Sequence, residues 1–199
     1  TLEVGAGRVE ESLLGEGRAR FAWDAITLNY SGNPQVGELR GVVQRFGQEQ
    51  FALDLAMPAS LNGELAGKLT IDSLALEDLR PFTSSLNRLQ GSMDGALLFS
   101  GRVGEPKVKG SLSLAEVRAS ITGNPTEIDR GSLHLDFLGD KAEISGEVFV
   151  GEGRSDIEGQ LQWLPEPALQ ISLRGDKKPF LYPTDTIVYA AEDLLLKVD

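Results

Sequence analysis

Glycine keeps recurring among the apolar residues that occupy every second position of this chain's strands, and no other feature constrains its fold as tightly. The runs are Leu13, Gly15, Gly17, Ala19, Phe21, Trp23; then Leu39, Gly41, Val43; then Leu61, Gly63, Leu65, Gly67, Leu69, Ile71. They continue as Leu89, Gly91, Met93, Gly95, Leu97, Phe99; Val108, Gly110, Leu112, Leu114; Ala142, Ile144, Gly146, Val148, Val150; and Ile157, Gly159, Leu161, Trp163. A period of two is the signature of a β-strand, whose successive side chains point to opposite faces. Glycine weakens a strand, having nothing to pack and more backbone entropy to lose. Its repetition among leucines and valines therefore marks a face that is concave or closely approached, or bends that curl a sheet. The intervening positions are polar: Asp156, Glu158, Gln160 and Gln162 alternate with Ile157, Gly159 and Leu161, and Gln170 and Ser172 with Leu169, Ile171 and Leu173. Such alternation belongs to antiparallel sheets with one wet face.

Turn signals part the strands at short intervals, as at Ser31-Gly32-Asn33-Pro34, Gly104-Glu105-Pro106, Gly123-Asn124-Pro125, Gly139-Asp140 and Pro165-Glu166-Pro167. Further strands are expected at Ile26 to Tyr30, Phe51 to Met57, Val117 to Ile121 and Leu194 to Val198. The whole is an all-β chain of about fourteen strands, one elongated curled sheet on the order of 70 Å long at about 4.8 Å per strand. One segment departs from the period of two. Leu79, Phe82, Leu86 and Leu89 are spaced three or four apart, with Asp78 as cap, Pro81 in the first turn and Gly91 beyond, which predicts one short amphipathic helix.

With 199 residues, a formal charge of -11 and no cysteine, the chain is long enough for a sizeable core and cannot form disulfides or thiolate metal sites. Its acidity argues against nucleic acid as a partner. The sole histidine, His134, lies between Leu133 and Leu135 and so falls on the polar face. The Gly5/Gly7, Gly15/Gly17 and Gly151/Gly153 pairs lack the third glycine of a dinucleotide fingerprint. No catalytic residue, metal site or cofactor is expected. No stretch reaches the roughly 20 apolar residues of a membrane-spanning helix. The start at Thr1 reads as a fragment of a longer chain.

The run from Leu89 through Gly91, Gly95, Gly101 and Pro106 to Gly110, Leu112 and Leu114 resembles the TamB family and its AsmA-like relatives: a glycine-led apolar strand, a turn closed by proline, then a second glycine-led strand. The Leu79 to Leu89 segment resembles that family's short helix. Gly153, Ile157-Glu158-Gly159, Leu161, Trp163, Leu169, Ile171, Leu173 and Gly175, closing with Leu194 to Val198, resemble its C-terminal domain. The resemblance is best over residues 60 to 199.

What it implies is a single β-taco domain over residues 1–199, a curled sheet around a hydrophobic groove open along one side. It implies a periplasmic subunit of the translocation and assembly module, in a longer chain anchored in the inner membrane by an N-terminal helix. The implied partners are the outer-membrane barrel protein TamA, phospholipid acyl chains and unfolded outer-membrane protein strands. The implied work is phospholipid transport and autotransporter assembly. The residues expected to line the groove are Leu65, Leu69, Leu97, Leu112, Leu114, Ile144, Val148, Ile157, Leu161, Trp163, Leu169, Ile171 and Leu173. The competing reading is a closed β-sandwich acting as a spacer, since alternation is identical when two apolar faces meet.

Overall fold

The computed structural model describes residues 1–12, 18–33, 36–82, 86–121, 127–151, 153–175, 180–183, 188–191 and 193–198. The leading Leu13, Gly15 and Gly17 of the first glycine run and the Gly123-Asn124-Pro125 turn lie outside them. The strands are β1 (Leu2–Val4), β2 (Gly7–Ser12), β3 (Arg18–Trp23), β4 (Ala25–Gly32), β5 (Val36–Arg45), β6 (Gln48–Pro58), β7 (Ala66–Ala75), β8 (Leu86–Arg102), β9 (Glu105–Ile121) and β10 (Glu127–Ile128). They continue as β11 (Arg130–Gly139), β12 (Lys141–Val150), β13 (Gly153–Gln162), β14 (Ala168–Gly175), β15 (Phe180–Pro183), β16 (Val188–Ala191) and β17 (Asp193–Val198). Thirteen form one open sheet, in the order β1-β4-β5-β6-β7-β8-β9-β11-β12-β13-β14-β17, with β10 paired to β9. Every pairing is antiparallel. β2 with β3 and β15 with β16 make two separate two-stranded ribbons. Twelve strands in a row span roughly 50 Å at about 4.8 Å each, shorter than the expected 70 Å.

Three expectations are corrected. The helix is a 3₁₀ segment, Leu76–Phe82, and Leu86 and Leu89 belong to β8. Their backbone groups are claimed by Ile121 and Ala119 of β9, and ladder pairing outweighs a helical spacing of only eleven residues. Leu61 and Gly63 lie in a turn and not in a strand. Val117 to Ile121 is no separate strand but the end of the 17-residue β9.

The strands bend on one side. Register shifts fall where Gln50 of β6 is skipped opposite Val43 and Gln44, between Ile71 and Leu74 in β7, and in the β8–β9 pair at Leu86/Arg88 and at Gln90/Ser92, where the extra residue lies in β9. All lie toward the strand ends that meet the short helix. A bulge sharpens local twist and turns a strand, so their alignment raises a lip. In β7 the bulge is held by Asp94, which accepts a hydrogen bond from the Ser73 amide at 2.7 Å while Ser73 takes a φ of 51°. Leu74 thereby returns to the face that Ile71 left.

The glycines fit this curvature. Gly110 has a φ of 126° and lies so close to the Ala96 carbonyl that a Cβ would overlap it. Gly110→Ala should destabilise the fold by about 2 kcal/mol or more through strain and overlap together. Gly5→Ala, with nothing within 4 Å of its added carbon, should stay within about 0.5 kcal/mol of the parent. Chemical denaturation of the two variants measures the difference.

Candidate functional site

Cross-strand partners point to the same face, so the register assembles the apolar positions into continuous rows. One row runs Leu2, Leu28, Gly41, Leu53, Leu69, Leu97, Gly110, Phe137, Ala142, Leu161 and Leu169 across eleven of the twelve strands. Beside it lie Ile71, Gly95, Leu112, Leu135, Ile144, Gly159 and Ile171, and beyond them Met93, Leu114, Leu133, Gly146, Ile157 and Leu173. On the opposite flank are Tyr30, Leu39, Leu55, Gly67, Phe99 and Val108. Four rows, each two residues from the next, give a width of about 20 Å. The face thus spans on the order of 1,000 Å² of sheet.

The thirteen expected lining residues take these places. Leu69, Leu97, Leu112, Leu114, Ile144, Ile157, Leu161, Leu169, Ile171 and Leu173 stand in the rows, and Val148, opposite Gly131 and Ser155, extends them. Leu65 precedes β7 in the same parity, its amide donating to the Gly101 carbonyl at 2.7 Å. Trp163 follows Leu161 two residues on, its amide donating to the Asp140 carbonyl at 3.1 Å. Leu97 and Val148 are buried, Leu161 is 36% exposed, and the other ten are half-buried. No second large sheet packs against these rows among the described residues. The chain exposes 12,486 Å², about a third more than the roughly 9,000 Å² of a globular chain this long.

Glycine and bulk alternate across the strands as well as along them. Gly95 faces Leu112, Gly146 lies between Leu133 and Ile157, and Gly159 lies between Ile144 and Ile171. At Gly95 an added Cβ would come within 2.7 Å of Leu112 Cδ2. The leucine leans into the room that the glycine leaves. Met93, Leu135, Phe137, Phe99, Leu53 and Leu55 share the face and are not among the thirteen; the same alternation marks them.

Two features cover parts of the face. Trp163 reaches across one flank: its indole donates to the Pro106 carbonyl at 3.0 Å, and its ring lies 6.2 Å from that of Phe137. On the other flank the short helix crosses the rows of β5 to β8. Leu76 and Asp78 are buried there, each 2% exposed. Asp78 is ion-paired to Arg45 of β5. Between helix and sheet lies a pocket of about 270 Å³, walled by Val43, Phe51, Ile71, Leu74, Leu79 and Met93 with Gln50 and Asp78. A second pocket, of about 390 Å³, opens at the other strand ends around Tyr30, Leu39, Met57 and Pro58.

The outward face is wet and laced with ion pairs: Arg154 with Glu147 and Asp156, Arg174 with Glu158, Lys141 with Glu143. His134 stands there, as expected, between Ser113 (Oγ to Nδ1, 2.9 Å) and Asp136 (Oδ1 to Nε2, 3.2 Å). This serine–histidine–aspartate row lies flat on an exposed sheet whose amides serve the ladder, so it offers no oxyanion donors. It fixes the imidazole. Among the described residues no group of three metal-ligating side chains exists and no helix is long and apolar enough to cross a membrane.

Residues 1–114, more than half of the chain, match the family model for the N-terminal domain of TamB. No solved structure matches. The resemblance read from residues 60 to 199 pointed to the C-terminal domain of the same family; the match lies instead at the start of the chain and is to the N-terminal domain. The family stands and the domain is corrected.

The Arg45–Asp78 pair yields a stability prediction. Asp78→Ala should cost about 3–5 kcal/mol, because it strands a largely buried guanidinium. Replacing both, as Arg45→Met with Asp78→Leu, should recover most of the loss. Urea unfolding of the two variants separates these outcomes.

Proposed function

The chain belongs to the TamB family, and from that relation we propose that its apolar face is a passage for hydrophobic cargo between the inner and outer membranes. In this reading the chain works in the periplasm as part of the translocation and assembly module. What supports the reading is the register: ten of the thirteen expected positions share its rows, and the face they form stays partly exposed. A sealed core removes its apolar residues from water; here only Ile71, Leu74, Leu76, Leu97, Val117, Ala142 and Val148 are buried among the described hydrophobic residues. A strip about 20 Å wide accommodates an extended acyl chain lying across it or along it.

Phospholipid acyl chains are the proposed cargo of the face itself. Unfolded outer-membrane protein strands, autotransporters among them, have a second place to bind. Among the described residues β1 pairs only with Ile26 to Leu28 of β4, which leaves Asn29 to Gly32 as a strand edge for β-augmentation. TamA is the partner that the family relation brings. The resemblance gives that contact to the C-terminal domain, so this region is proposed to conduct and not to dock.

Charge in the rows tests the reading. Ile157→Asp and Leu112→Arg alter half-buried positions, so the fold has room to tolerate them, yet an unpaired charge against hydrocarbon costs several kcal/mol. Photo-cross-linking of phospholipid from a neighbouring row position should fall more than tenfold in the folded variants. Gln160→Arg, on the outward face, should leave it unchanged. Equal cross-linking in all three would make the face a mere core and the chain a spacer.

A further inference from the structure

We infer that the pocket beneath the short helix is a binding site for the end of one linear hydrocarbon chain, such as the last methylenes of an acyl group. The inference rests on the passage proposed above and gives that passage an end. The pocket's exposed wall is wholly apolar: Gln50 and Asp78 present only carbon to it, and the Asp78 carboxylate is taken up by Arg45. A headgroup or a peptide strand would find no hydrogen-bond partner there, which excludes polar ligands on desolvation alone. Its volume, about 270 Å³, is nearly twice the roughly 150 Å³ of an apolar cavity that stays dry and admits benzene. A space of that size admits the end of one chain.

Position argues for a chain end. Val43, Phe51 and Ile71 of the pocket are consecutive members of a row that continues through Gly95, Leu112, Leu135 and Ile144. A chain lying in that row therefore runs without a break into the pocket, where Leu74, Leu79 and the helix close over it. The Arg45–Asp78 pair latches the helix to β5 and keeps the lid in place.

The chain's two methionines make the test direct, because Met93 lines this pocket and Met57 lines the separate one near Tyr30. The 199-residue protein is labelled with ¹³C at both methionine methyls and titrated with decanoate below its micelle concentration. The expected result is a saturable shift of the Met93 signal, with Met57 unmoved over the same range. Leu79→Trp, which fills the pocket from the lid, should weaken decanoate binding at least tenfold. Phospholipid cross-linking at Ile157 should persist in that variant. Should Leu79→Trp not fold, Val43→Phe fills the pocket from the sheet and is read in the same way. An unresponsive Met93, or equal responses from Met93 and Met57, overturns the pocket; the passage survives if Ile157 still cross-links. A Met93 shift with no cross-linking at Ile157 in the parent keeps the pocket and overturns the passage.

Discussion

Large side chains facing glycines across the strands are the contact on which the rest of this structure depends. A concave sheet crowds its inner side chains, and twelve strands of leucine opposite leucine would resist curling or splay open. Leaving a glycine opposite Leu97, Leu112, Ile144 or Ile157 lets the neighbour fold down, so the backbone closes without overlap. The same pattern fixes register. A slip of one residue would turn the leucines of the rows outward and bring Asp136, Glu143 and Glu158 inward, a penalty paid at all strands together. The bulges then add curvature on one flank, where they lift Leu74 and Met93 toward the short helix.

Much of this was legible. Period-two alternation assigns the rows, and the positions of Leu69, Leu112, Ile144 and Ile171 follow from it because side-chain direction in a strand is a local property. The bulges were legible too, although less plainly: the apolar step lengthens from two to three between Ile71 and Leu74, and again between Leu114 and Val117. Read as breaks, those steps suggested a separate strand; they are the sites where one strand absorbs an extra residue. The segment from Leu79 to Leu89 misled for a different reason. Its spacing is helical, but only the pairing of Leu86 and Leu89 with β9, thirty residues and more away, decides their state. Nothing local announces a long-range contact of that kind, nor the ion pair between Arg45 and Asp78.

The two faces divide the chemistry. Charges that alternate with the apolar rows pair with one another outside, as Arg154 does with Glu147 and Asp156, so solubility and the apolar strip are met by the same strands. The Ser113–His134–Asp136 row has the residue types of a reactive centre but not the donors that acyl transfer requires. What remains is a surface shaped for contact along its length. Trp163 narrows one flank and the helix narrows the other, so the strip is most confined where those elements cross it and widest between them.

As a passage, this strip has to hold hydrocarbon while remaining open to exchange. Native mass spectrometry of the 199-residue protein, purified without detergent and then incubated with phospholipid vesicles, tests it most directly. Adducts of phospholipid mass that exchange with vesicle lipid of a different acyl length are expected. A chain that shows only its bare mass before and after incubation would contradict it.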